Sequence, residues 1–386
     1  MKPYLFLLIF FTFLAVYSLA NFYLFTRSVQ VFSITQPLKK WYIIAYILIS
    51  YSFIFGMILE RTASSAFSEW VFRIGTFWLP YMLYLLMGVI LIDFIRIANH
   101  FFHFLPPITQ SLKLIVGITS LSIVTLVVII GHINSMIVDI KVIPLTIDKN
   151  VDGVPNMKIF MVSDVHLGAL IRERREKYLV KTIEEHKPDL VLICGDLIDS
   201  DIAPVLRKNL GKHIQEIKTP MGVYAVTGNH EYIGGIEQSL AYLKTIHVKV
   251  LLDTVITLPN GVQIVGRNDR SAGHGVNGQK PLADLLQLAN HQRPIIVMNH
   301  QPYNLKEASD LNVDLHLSGH THHGQFWPIN YITQAMFELS WGYLKKGNTH
   351  FYVSSGYGTW GPAVRLGNRP EVVIFDISFK KSMVDR

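Results

Sequence analysis

Four apolar runs near the start of the chain decide most of what its first third can become: Tyr4–Tyr23, Trp41–Leu59, Ile74–Ile95 and Leu114–Ile133. Each approaches the roughly 20 residues that an α-helix needs to cross about 30 Å of hydrocarbon. Asp93 is the one charge inside them, close to the end of the third run. Trp41, Tyr42 and Trp70 lie near run ends, where aromatic rings favour the membrane interface. Buried helices of soluble domains seldom go so long without charge, so the pattern predicts four transmembrane helices within residues 1–136. Pro80 is expected to kink the third, which membranes tolerate. "SLAN" at the end of the first run resembles a cleavage site, but the run is longer than a secretory core and only Lys2 precedes it. An uncleaved helix is the expectation there.

Charge separates this region from the rest. Residues 1–140 hold eight Lys/Arg and four Asp/Glu; the remaining chain holds 27 and 24. With no dense basic stripe, the formal charge of +7 gives no reason to expect a nucleic-acid partner. Loops 26–40 and 96–113 carry five basic residues, against Lys2, Arg61, Arg73 and Lys141 on the other side. The positive-inside tendency then places both termini, and the large C-terminal domain, outside the cytoplasm of a multi-pass membrane protein. The single cysteine, Cys194, excludes an intrachain disulfide.

From about residue 137 the texture changes, and residues 137–386 read as a second domain in which strands and helices alternate. "KIFMVS" (158–163), "DLVLIC" (189–194), "GVYAVT" (222–227), "VKVLL", "PIIVMN", "VDLHLS", "FYVSS" and "EVVIFDISF" have the apolar character of buried strands. Helical periodicity covers 171–187, "VLRKNLGKHIQEIK", "GIEQSLAYLKTIH" and a stretch near 281–290. "VITLPNGVQIVG" reads as a hairpin whose Asn260-Gly261 suits a type I′ turn. The fold class is α/β (α+β): two packed mixed sheets flanked by helices.

Polar residues gather where the strands end. Asp164-Val-His166 follows one, Gly195-Asp196-Leu-Ile-Asp199 the next, then Gly228-Asn229-His230-Glu231, Asn299-His300 and Gly319-His320-Thr321-His322. Alone, each is an ordinary turn or cap. Together they place two Asp, one Asn and four His on loops that α/β folds collect at one rim. Mixed carboxylate and imidazole donors without thiolate suit a borderline first-row cation such as Mn²⁺, Fe or Zn²⁺. Seven donors exceed what one ion takes, whereas two ions sharing a carboxylate would use them all. His323 has no assigned ligand role and is expected in a second sphere or facing solvent.

These five motifs resemble those of the calcineurin-like metallophosphoesterases. "GQFWP" and "GYGTWGPAVRLGNRPEV" look like the YkuE-type subgroup of membrane-associated bacterial phosphoesterases, which often has Gly where this chain has His323. The match covers roughly residues 155–378 and leaves the four-helix leader outside. It implies a four-layer αββα sandwich preceded by the transmembrane helices. It also implies a dinuclear centre with Asp164, His166 and His322 on one ion, Asn229, His300 and His320 on the other, and Asp196 bridging. His230 would be the catalytic histidine, and Asp199 would orient a ligand or loop. The implied reaction is hydrolysis of a phosphate mono- or diester by a metal-bridging hydroxide. A membrane tether favours a phospholipid or lipid-linked pyrophosphate as substrate, and the aromatic stretch 326–346 is expected to wall the active-site mouth. The competing expectation is a catalytically inactive metal-binding sensor on the same scaffold. A transporter is disfavoured, because the apolar runs offer Asp93 alone as an intramembrane charge.

Overall fold

The computed structural model describes residues 3–273 and 278–380. The chain divides into two compact units, Met1–Ile133 and Asn134–Arg386.

The first unit is helical: α1 (Pro3–Phe32), α2 (Gln36–Ala63), α3 (Ala66–Phe102) and α4 (Gln110–Met136). The helices overrun the apolar runs that define them. Among the described residues α2, α3 and α4 are long and apolar enough to cross a membrane. The α2–α3 hairpin packs backbone against backbone. A Cβ on Gly56 would meet Phe72 Cα at 2.4 Å, and one on Gly75 would meet Phe53 N at 2.0 Å. Small residues permit such approach where apolar packing alone must hold helices together. Ser65 caps α3 in a reciprocal capping box with Ser68. The helix runs as one element through Pro80.

The second unit contains two six-stranded sheets. The first has the order β1-β12-β2-β3-β4-β5, from Asp139–Ile147, Glu371–Phe379, Asn156–Val162, Leu190–Cys194, Val223–Val226 and Lys249–Val250. The second has the order β10-β11-β9-β8-β7-β6, from Gly342–Lys346, Thr349–Val353, Leu315–Ser318, Ile295–Met298, Gln263–Gly266 and Thr254–Thr257. Strands buried on both faces lose the polar alternation of a half-exposed sheet. In β2, Ile159 and Met161 join a core with Ile296, Met298, Leu315 and Leu317 of the facing sheet. Phe160 and Val162 point the other way, into a core with Leu179, Val180 and Ile183 of α5 (Glu173–His186) and with Leu243 of α8 (Ile236–Thr245). On the outer face of the second sheet, Val265, Ile295 and Val297 pack under α9 (Leu282–Leu286) and α10 (Leu305–Asp310). The layers are therefore helix, sheet, sheet, helix.

Local details depart from the sequence reading. "VLRKNLGKHIQEIK" is not one helix: α6 (Ala203–Lys208) stops where Asn209 turns left-handed, and only a 3₁₀ turn, Ile214–Glu216, follows. The β6–β7 connection is not a type I′ turn, which needs positive φ at both central residues. Only Gly261 has it, and Gly261 N donates to Leu258 O at 2.9 Å. Pro259, with its fixed negative φ, instead favours a turn in which Gly261 takes the last position.

Candidate metal centre

The five motifs occupy the carboxyl ends of β2, β3 and β4 in one sheet and β8 and β9 in the other. Within each sheet these strands are parallel neighbours, so their loops emerge on the same edge. The loops then bend sharply. Asp164, His166, Asp196, His320, His322 and His323 all have φ between 46° and 73°. Non-glycine residues rarely adopt this left-handed conformation, and clusters of it mark places where side-chain position outweighs backbone comfort.

Those turns bring the candidate ligands together. Asp164, His166 and His322 present donor atoms within 4.8 Å of one another, and so do Asp196, His300 and His320. In the first group His166 Nε2 stands 3.1 Å from His322 Nε2, which is 3.4 Å from Asp164 Oδ1. In the second, Asp196 Oδ2 is 3.1 Å from His300 Nε2. Asn229 Oδ1 lies 2.8 Å from His320 Nδ1 and 3.3 Å from His300 Nε2. The same Asp196 oxygen is 3.9 Å from His166 Nε2, so one carboxylate faces both groups. All seven sequence candidates are thus gathered.

The donor chemistry fits divalent cations. Asp164 and Asp196 are buried carboxylates facing imidazole nitrogens rather than Lys or Arg. His166 Nδ1 is buried with no hydrogen-bond partner. His300 Nδ1–H donates to the Cys194 carbonyl at 2.8 Å, which turns the Nε2 lone pair into the site. Burial, aided by the positive His300, pushes His320 down to about 4. Burial, with His166 and Arg365 nearby, likewise holds His322 below the usual imidazole range. Both rings are therefore neutral at pH 7, the form that binds metal. Burial lowers His300, but the carboxylate charge of Asp196 outweighs it and raises the ring, so a cation would displace a proton there.

His230 belongs to a third cluster, with His166 and Asp199, whose donor atoms also lie within 4.8 Å of one another. Its Nδ1 lies 2.9 Å from Asp199 Oδ1 and 2.7 Å from Ser200 Oγ, and its ring packs edge-on against His166 at 4.5 Å. Burial lowers its pKa, but the Asp199 bond and the Asp196 charge prevail and push it up to about 9. Asp199 Oδ1 also lies 3.6 Å from His166 Nδ1, beyond hydrogen-bond reach, so its bond is to His230. His323 does not face solvent. It is buried, with Nδ1 3.0 Å from Ser340 Oγ and its ring 5.1 Å from that of Trp341.

Two residues without a sequence-level role hold the site in shape. Glu231 accepts from the backbone N–H groups of Asp196 (3.2 Å), Ile198 (2.9 Å) and Gly228 (2.7 Å), tying two ligand loops together. Arg365 is fully buried, with Nη2 3.1 Å from His322 Nδ1. It donates to the carbonyls of Ser355 (2.8 Å), Gly356 (3.2 Å) and Gly358 (2.6 Å). Arg365→Met strips three buried carbonyls of a charged donor. We expect a loss of about 3 kcal/mol or more. For a domain of this size that is a fall of roughly 10 °C in Tm by thermal unfolding; an unchanged Tm would contradict the bracing role.

The glycine before His320 is also fixed by geometry. A Cβ on Gly319 would lie 2.3 Å from Asp164 Oδ2 and 2.6 Å from Ser163 Oγ. Gly319→Ala is expected to push that carboxylate aside and weaken metal affinity by at least about tenfold, measured by calorimetric titration with Mn²⁺.

Known proteins resemble the region that carries these motifs. The calcineurin-like phosphoesterase family matches residues 157–324, from β2 to the turn after His323. An uncharacterised metallophosphoesterase of Aquifex aeolicus is 34% identical over 229 residues, which cover 58% of this chain and 86% of the relative. The chain belongs to the calcineurin-like metallophosphoesterase family. A second uncharacterised metallophosphoesterase, from Helicobacter pylori strain 26695, is 34% identical over 229 residues, 59% of this metallophosphoesterase and 60% of the relative's own length. The transmembrane protein with metallophosphoesterase domain of Danio rerio is 28% identical over 275 residues, 66% of this chain and 61% of that protein. Arg365 lies beyond the family match, in the stretch "GPAVRLGNRP".

Proposed function

We propose that this chain is a membrane-anchored phosphoester hydrolase with a dinuclear metal centre. The observation that carries the reading is that Asp196, a member of the group with His300 and His320, also turns the same oxygen toward His166 of the other group, at 3.9 Å. Asp164, His166 and His322 would hold one cation and Asn229, His300 and His320 the other, with Asp196 shared. Mn²⁺ is our first candidate for this mixed oxygen and imidazole set, with Fe or Zn²⁺ as the alternatives. When bound, two such cations supply Lewis acidity toward the anionic phosphate oxygens and toward water.

The chain's own groups supply the proton chemistry. Asp199 accepts from His230 Nδ1–H, which leaves Nε2 to carry the transferable proton. A ring pushed up to about 9 is protonated at neutral pH and suits a general acid for a departing alkoxide. Cations beside Asp196 would offset that carboxylate's share of the shift, leaving the Asp199 bond to sustain it.

A lipid-linked phosphate ester is the substrate class we favour. Phe337 packs its ring 6.1 Å from that of His320 and 5.0 Å from that of Tyr303, so the aromatic stretch borders the second donor group. Just before it, α11 (Ile329–Met336) exposes Tyr331, Ile332 and Met336, each more than half accessible. Such a surface suits acyl chains or a bilayer more than a soluble ester. The anchoring helices and the excess of basic residues on loops 26–40 and 96–113 support an extracytoplasmic catalytic unit.

The test is turnover by the detergent-purified full chain. With Mn²⁺ it should hydrolyse bis-p-nitrophenyl phosphate, and a chelator should abolish the activity. Two bound Mn²⁺ without turnover on that substrate or on phosphorylated lipids would assign the protein as an inactive sensor instead.

A further inference from the structure

The helical unit holds a second site that phosphoester hydrolysis does not use. A cavity of about 770 Å³ opens between all four helices, near the bundle end formed by the C-termini of α1 and α3 and the N-termini of α2 and α4. That is the size of a site for a small organic molecule. Its body is apolar, lined by Leu24, Leu85, Val89, Leu121 and Val124. Its lining also includes four charged residues, Arg27, Asp93, Arg96 and Lys113.

The charges do not cancel. Asp93 pairs with Arg27, and with Arg96 at 3.1 Å, and accepts from the Tyr23 hydroxyl. One carboxylate thus answers two guanidiniums, and Lys113 has no acidic partner among the described residues. Arg27 Nε is buried with no hydrogen-bond partner. Arg27, Arg96 and Lys113 all lie near helix ends, the level of a membrane–water interface, where basic side chains meet lipid headgroups. An excess of two cations beside an apolar chamber calls for an amphiphile with a doubly charged head. A phosphate monoester carries close to that charge, and guanidinium forks match its oxygens.

We propose that this cavity binds a lipid phosphomonoester, its phosphate held by Arg27, Arg96 and Lys113 and its chains along the apolar lining. The site rests on the membrane-anchored reading of the helical unit and is independent of the hydrolase chemistry. Gly88 offers a direct probe: it lines the cavity, and a Cβ built there has nothing within 4 Å. Gly88→Leu would project an apolar side chain into the chamber without a Cβ clash and with a better helix former. Lys113→Gln would remove the unpaired cation while leaving the Asp93 cluster intact.

Recovery of the full chain in carbonate-washed membranes tests the anchoring by itself. Binding is then measured by native mass spectrometry of the full chain, with dioleoyl phosphatidic acid, dioleoyl phosphatidylcholine or inorganic phosphate. We expect phosphatidic acid to bind at least tenfold more tightly than phosphatidylcholine, inorganic phosphate not to compete at equal concentration, and both variants to lose the preference. Monodisperse elution and unchanged metal content identify folded variants. Equal retention of the two lipids, or a preference that survives in both folded variants, would reduce the cavity to annular lipid and overturn the proposal. Displacement of phosphatidic acid by equimolar inorganic phosphate would overturn it in favour of a free-phosphate site.

Discussion

Asp196→Asn should lower turnover at least about 10³-fold, an increase of about 4 kcal/mol in the barrier. The substitution keeps volume and one oxygen but removes the charge that faces both donor groups. His300 Nε2 at 3.1 Å and His166 Nε2 at 3.9 Å address the same Asp196 oxygen, so its loss weakens both cation sites rather than one. Asp196 Oδ1 also accepts from the backbone N–H of His230 at 2.9 Å, a bond the amide oxygen can keep if the Asn side chain is so oriented. We therefore expect a folded protein with fewer than two bound metals. Metal analysis, thermal unfolding and steady-state kinetics on one preparation separate these effects. Full activity with two bound metals would remove Asp196 from its shared position.

His230→Ala has a different signature. The residue belongs to neither the Asp164 nor the Asp196 group and shares only a third cluster with His166 and Asp199, so metal content should stay at two while turnover falls by about 10²–10⁴, the usual contribution of general acid catalysis. The loss should depend on the leaving group. An alkoxide needs the proton, whereas a nitrophenolate leaves readily without one, so activity on bis-p-nitrophenyl phosphate should suffer least. Asp199→Asn should follow the same pattern more weakly, because Asp199 holds the His230 Nδ1–H at 2.9 Å without touching substrate. A uniform loss across leaving groups, or a loss of metal, would place His230 in binding instead.

Much of the site was legible because its chemistry is local. Each ligand falls within a few residues of a strand end, and five apolar strands closing in Asp, Asn or His make a pattern that survives without coordinates. Strand and helix alternation pointed to two packed mixed sheets flanked by helices, and the family resemblance implied the four-layer αββα sandwich. What escaped depends on tertiary context. β1 carries Pro144, which argues against a strand in sequence; the structure places it on a sheet edge, where a missing N–H is tolerated. Glu231 was visible beside His230, but its three bonds to other loops arise only when β3 and β4 pair. Arg365 reads as a surface cation until burial and three carbonyls surround it. The cavity charges were counted as loop residues for topology, and only the bundle shows Arg27 from α1 meeting Asp93 from α3.

Anomalous scattering from crystals of the full chain grown with Mn²⁺ tests the central claim most directly. The account predicts two peaks, one coordinated by Asp164, His166 and His322 and the other by Asn229, His300 and His320, with Asp196 reaching both. A single peak, or two that leave Asp196 uncoordinated, would contradict it.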